Sequence, residues 1–120
     1  AFVPARDIGR ARDFYVDVLG CSLIEVTPFA CVVVLGNTEL RITHVEYFDP
    51  QPFTVLGFEV GDVHEEVRRL RGLGVRFREY ASINQDDDDV WEVPGGGQVA
   101  WFFDPDGNTL SIQRTVAAQT

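Results

Sequence analysis

The sequence has no apolar run near the ~20 residues that a membrane-spanning helix needs, and no segment of secretory type. It also has no basic cluster: 10 Lys and Arg stand against 19 Asp and Glu, a net charge of −9. A chain of that sign repels a phosphate backbone, so neither nucleic acid nor a membrane is an expected partner. Cysteine is scarce. Cys21 and Cys31 have no metal-type spacing and are expected as reduced, buried thiols of a cytoplasmic protein. The common catalytic fingerprints are missing too: there is no Gly-x-Ser-x-Gly, P-loop or dinucleotide motif, and Gly95-Gly96-Gly97 precedes a strand pattern rather than a helix.

What is present suits one globular domain. At 120 residues and 45% apolar, the chain can bury roughly 65% of its unfolded surface. Ala1–Ala5 is a short extended run, and Asp7 is a candidate N-cap. The spacing of Ile8, Ala11, Phe14, Tyr15, Val18 and Leu19 predicts a helix closed by Gly20. Cys21–Val26, Ala30–Leu35 and Glu39–Val45 read as strands, with a tight turn at Gly36-Asn37. The pattern then repeats. Phe53–Val60 is a strand, Asp62 an N-cap with Glu65 as capping-box partner, and Val63, Val67, Leu70 and Leu73 form a helical stripe ending at Gly74. Val75–Tyr80, Gln98–Phe103 and Thr109–Gln113 complete a second set of strands. The expectation is an α+β fold of two βαβββ modules, residues 1–50 and 51–120, pairing their uncovered sheet faces around a cleft with the helices outside.

The last two strands flank Asp104-Pro105-Asp106-Gly107-Asn108, a hairpin turn in which Asp104 accepts from the turn backbone and Gly107 or Asn108 takes positive φ. A strand, Asp-Pro-Asp-Gly-Asn and a second strand, together with the duplication, resemble the glyoxalase / bleomycin-resistance / extradiol dioxygenase proteins, the vicinal oxygen chelate superfamily. The resemblance covers the whole chain. It implies a homodimer, since such modules often pair between chains in that family.

Strand alternation names the side chains facing the cleft. With Leu110 and Ile112 on the helix side, Ser111 and Gln113 face inward; with Ala100 and Phe102 on the helix side, so do Trp101 and Phe103. The same rule selects Phe53, Val55 and Glu59 on one first strand and Arg41 and Thr43 on the strand after Gly36-Asn37. In the family's metal enzymes, each module supplies one ligand from its first strand and one from its last. By motif those positions fall on Val55, Arg41 and Ser111, the last being where a glutamate usually stands; the fourth precedes Ala1, outside the sequence given. Zinc, iron or nickel needs about three imidazoles, carboxylates or thiolates at once. A valine, an arginine and a serine cannot supply them, so no metal and no cofactor is expected.

Other residues carry weaker signals. His44 and Glu46 share a strand face, which suits chelation or merely a strand end; His64 reads as solvated; Asp86–Asp89 has carboxylates for calcium but lacks EF-hand spacing and reads as a solvated loop. An inward Arg41 needs either an acid, Glu59 being the candidate, or an anionic ligand. Trp91, Trp101, Phe53 and Phe103 either wall a flat ligand or fill the cup as core. Three functions follow: metal-independent binding of a small planar or anionic organic molecule, as in the antibiotic-sequestering members of that family; a metal-dependent lyase, isomerase or dioxygenase of the same superfamily; or a non-catalytic interaction or regulatory module.

Overall fold

The structure, a computed structural model, describes residues 2–116, so Ala1 of the expected first run lies outside them. It is α+β, with two four-stranded mixed sheets and two helices. The first sheet has the order β1-β4-β3-β2, from β1 (Phe2–Ala5), β2 (Ser22–Val26), β3 (Ala30–Leu35) and β4 (Thr38–His44). The second has the order β5-β8-β7-β6, from β5 (Thr54–Glu59), β6 (Trp91–Glu92), β7 (Gln98–Phe103) and β8 (Thr109–Arg114). The two orders are equivalent: first strand parallel to last, last antiparallel to the one before it. The chain divides into two compact units: Ala1–Pro52 with Asp104–Asn108, and Phe53–Phe103 with Thr109–Thr120.

Both helices start where an aspartate offers its carboxylate to free amides. Asp7 accepts from Arg10 N and Asp62 from Glu65 N, each at 3.0 Å. The first helix departs from its expected span. Regular α1 covers Ile8–Asp13, and Phe14–Val18 continues as a π-helical turn before Gly20 closes it at φ +83°. The wider turn keeps Tyr15 fully buried with its hydroxyl aimed at Asp104. The second helix, α2 (Val63–Gly72), buries Val63, Val67 and Leu70 against β7 and β8. Ten residues are too few for an isolated helix. Those three side chains, at about 2 kcal/mol each, hold it on the sheet.

The Asp104–Asn108 turn belongs to the first unit although its flanking strands belong to the second. Asp104 Oδ1 accepts from the amides of Asp106 and Asn108, and Oδ2 accepts from the Tyr15 hydroxyl and the Asn108 side-chain amide, all at 2.9 Å. Asn108 also donates to Pro4 O in β1, and buried Asp106 receives Arg6 N and Arg10. Gly107 takes the positive φ, +86°; Asn108 does not. Burial, then the neighbouring Asp104 charge, drives the Tyr15 pKa well up, so the phenol stays protonated and donates. Cys21 and Cys31 are free and buried, and burial pushes the Cys21 thiol up to about 11.

The second unit departs from expectation after α2. Val75–Tyr80 forms no continuous strand but a single bridge, Phe77 to Phe102, with Arg78 N donating to Trp101 O and Phe103 N to Arg76 O. The other end of the same β7 edge is taken by Trp91–Glu92, paired with Val99 and Gln98. One edge cannot pair twice along its length, so two short segments divide it.

Between them, the acidic run is not a free solvated loop. His64, Arg68 and Arg71 occupy one stripe of α2 at helical spacing and meet it. His64 Nε2 donates to Asp86 Oδ2 at 2.7 Å, Arg68 pairs with Asp88 at 3.0 Å, and Arg71 pairs with Asp89. Asp86 Oδ1 accepts from Asp88 N and Val90 N, and Gln85 ties Tyr80 N, Arg78 O and Asp89 O together. His64 is therefore a paired donor and not a solvated ring. Burial of Asp86 works to raise its pKa, but the hydrogen bonds from His64, Val90 and Asp88 outweigh it and hold the carboxyl below its ordinary range.

Two outcomes test these ties. Asp104→Ala should cost about 3 kcal/mol in chemical denaturation and Tyr15→Phe about 1 kcal/mol, because only the first strands several buried donors at once; equal small losses would contradict the arrangement. For Asp86 the folded pKa lies below the unfolded one, so its contribution is present above the unfolded value and lost as pH falls through the folded one. Wild type should be more stable than Asp86→Asn at pH 6, and the gap should narrow progressively as pH falls below the unfolded value of about 4. A gap that stays constant or widens as the pH is lowered from 6 would contradict the reading.

Candidate functional site

The second sheet has one face against α2; on its opposite face Thr109 and Ser111 are buried, while the aromatic residues toward β6 stay half-buried. Alternation puts Phe58, Ala100, Phe102, Leu110 and Ile112 on the helix face, all nearly inaccessible. The opposite face is built in rows fixed by register. Gly57, Ser111 and Trp101 lie side by side across β5, β8 and β7; Glu59, Gln113 and Val99 form the next row, with Trp91 of β6 beyond Val99. Phe103 opposes Thr109 at the far end.

Polar groups on this face are already organised. Ser111 Oγ donates to Gln113 Oε1 at 2.8 Å. Gly57 makes room for that pair: a Cβ there would lie 2.7 Å from both oxygens. The aromatics gather around Trp101. Tyr80 meets its ring edge-on at 5.0 Å, and Trp91 lies 6.1 Å away, tilted by 30°. All three are half-buried. The acidic loop thus has a structural task, since its ties to α2 fix the two ends that carry Tyr80 and Trp91. Arg78 follows the same edge, its guanidinium over Tyr80 at 4.9 Å and Phe103 at 5.5 Å, with one hydrogen bond to Thr109 Oγ1 at 2.9 Å.

Of the side chains expected at the site, Trp91, Trp101, Phe103, Ser111 and Gln113 are brought together on this face. Others are placed differently. Phe53 lies before β5 and is 61% exposed, because the strand begins only at Thr54. Val55 sits in a register irregularity between Thr54 and Leu56, which interrupts the alternation that assigned it inward. Glu59 is not the partner of Arg41. Its carboxylate accepts from Thr115 N and Oγ1, at 3.2 and 3.0 Å. Arg41 is an exposed residue of β4 in the first unit, without an ion pair among the described residues, and a solvated guanidinium needs none. Thr43, on the same strand, is half-buried, and its Oγ1 has no hydrogen-bond partner there.

The sequence reading missed Arg78 and Tyr80. The signal was present: alternation through Val75–Tyr80, with Phe77 on the helix side, turns Arg76, Arg78 and Tyr80 to the opposite face.

As metal ligands the family positions do not fit. Val55 offers hydrocarbon, Arg41 a cation, and Ser111 a hydroxyl committed to Gln113. Among the described residues, one group of three metal-capable side chains lies elsewhere: His64, Asp86 and Asp88, with ligand atoms within 4.8 Å of one another. There Asp88 is engaged by Arg68 and, at 3.6 Å, by Arg71, which hold the place a cation would take. His44 ends β4 and Glu46 lies beyond it, both exposed. No helix among the described residues is long and apolar enough to cross a membrane.

Solved structures share this architecture from end to end. A glyoxalase/bleomycin resistance protein/dioxygenase from Alicyclobacillus acidocaldarius superposes with a TM-score of 0.76 at 21% identity, over 98% of this chain and 89% of that one. Lactoylglutathione lyase from Agrobacterium tumefaciens gives 0.72 at 17% identity, over 95% and 90%. TnmS3, an antibiotic binding protein from Streptomyces sp. CB03234, gives 0.71 at 24% identity, over 97% and 93%. At such identities these likenesses speak for the fold alone. No curated protein matches the sequence. The model of one family matches residues 1–112, nearly the whole chain, and the protein belongs to that family, the Glyoxalase/Bleomycin resistance protein/Dioxygenase superfamily.

Proposed function

We propose that this protein binds a small planar organic molecule, without a metal, on the face of its second sheet opposite α2. The observation that carries the reading is the half-buried Trp91–Trp101–Tyr80 cluster beside the Ser111–Gln113 pair. The Trp91 and Trp101 rings, 6.1 Å apart and tilted by 30°, keep part of their surface accessible as an apolar wall with Tyr80 edge-on beside it, and the Gln113 side-chain amide offers hydrogen bonds. The antibiotic-binding neighbour supports this use of the fold; the lyase neighbour supports an enzyme, but the donors at Val55, Arg41 and Ser111 disfavour one that works through a metal. The same reading includes a homodimer, for which the exposed apolar residues Leu23, Ile24 and Val26 of edge strand β2 are the supporting feature.

A thermal-shift screen with planar compounds tests this wall. Compounds that stabilise the wild type should bind Trp101→Ala about 30-fold more weakly, the loss of a central aromatic anchor worth about 2 kcal/mol. Protein purified without chelator should carry well under one metal per chain. One bound metal per chain, with binding abolished by chelation, would overturn the reading.

A further inference from the structure

Resting on the binding face proposed above, we infer that its ligand is an aromatic acid, whose anionic group is held by Arg78. Arg78 is half-buried, yet among the described residues it has no carboxylate partner, and only one of its five donors is used, by Thr109. In a chain of net charge −9, Arg6, Arg10, Arg12, Arg68, Arg69 and Arg71 all find a carboxylate; of the arginines without one among the described residues, Arg41, Arg76 and Arg114 are exposed, whereas Arg78 is half-buried. Arg78 instead lies against the rings of Tyr80 and Phe103, at 4.9 and 5.5 Å, and its remaining N–H groups are the polar part on offer.

Position adds to this. Tyr80 links the two halves of the site: it packs edge-on against Trp101 and lies beneath Arg78. A ring laid against Trp101 therefore has a guanidinium one aromatic residue away, with the Thr109 hydroxyl on it. Arg76 lies over the same Phe103 ring at 5.4 Å, exposed and without an ion pair among the described residues, so a second cation borders this end of the face. A planar ligand with one carboxylate matches both parts. The ring takes the aromatic wall, and the carboxylate takes the remaining N–H groups of a guanidinium built for two parallel hydrogen bonds. A neutral ring of the same shape would leave those groups unmet.

The test compares naphthalene-2-carboxylate with naphthalene-2-methanol, a neutral probe of similar shape, by quenching of tryptophan fluorescence. Wild type should bind the acid at least about tenfold more tightly. Arg78→Gln should bring the two probes within twofold of each other, and Arg78→Lys should restore part of the preference. Arg76→Gln should change it less than twofold, which separates contact from nearby charge. Equal binding of both probes by wild type overturns the Arg78 assignment and leaves the aromatic face standing. A preference that survives Arg78→Gln, or is lost equally in Arg76→Gln, also overturns it. Binding of neither probe overturns both readings.

Discussion

The structure depends on one buried carboxylate. Asp104 receives four hydrogen bonds: two close its own turn, one orders Asn108, and one comes from the phenol of Tyr15 on the first helical segment. A carboxylate left unmet in such a place would be expensive, so the turn, the π-helical step that aims Tyr15 and the Asn108 bond to Pro4 are selected together. The consequence reaches the site through chain geometry. The turn sets the register of β7 on β8, with Phe103 opposite Thr109 and hence Trp101 opposite Ser111. A slip of one residue would send Trp101 to the helix face and Phe102 to the opposite one.

That register decides what kind of chemistry the face can do. Where the family's metal enzymes place a glutamate, Ser111 spends its hydroxyl on Gln113, and Gly57 keeps the space for the pair. A serine there offers a neutral hydroxyl in place of a charged carboxylate, a weaker donor for a cation. What remains is dispersion and stacking from three aromatic rings, with directional polar contacts at the edges. Such a surface suits the broad face of an organic molecule. The acidic loop contributes indirectly: its exposed ion pairs are each worth little alone, but several of them acting with Gln85 fix the positions of Tyr80 and Trp91.

Much of this was legible in the chain. Asp7 and Asp62 signalled both helix starts, Gly20 and Gly74 their ends, and alternation placed Trp101, Phe103, Ser111 and Gln113 on the face where they are found. These are short-range rules with local causes. The misplacements have non-local causes. Val55 escapes alternation because β5 carries an irregularity that only its pairing with β8 reveals. Val75–Tyr80 looked like a strand, but its edge of β7 is shared with Trp91–Glu92. The acidic run looked solvated because its partners, His64, Arg68 and Arg71, come from a helix some 20 residues earlier. An inward Arg41 needed either Glu59 or an anionic ligand, but Arg41 is exposed and Glu59 has its own partner in Thr115.

The central claim is that an organic ligand, and not an ion, occupies the face around Trp101. The protein has two tryptophans, Trp91 and Trp101, and both border that face, so its two indole N–H resonances report on the site directly. They should be followed by NMR during titration with a planar aromatic compound in the presence of excess chelator. The account predicts that both resonances shift together and saturate with one compound per chain. Indole resonances that stay fixed in chelator, and move only when a divalent metal is restored, would contradict it.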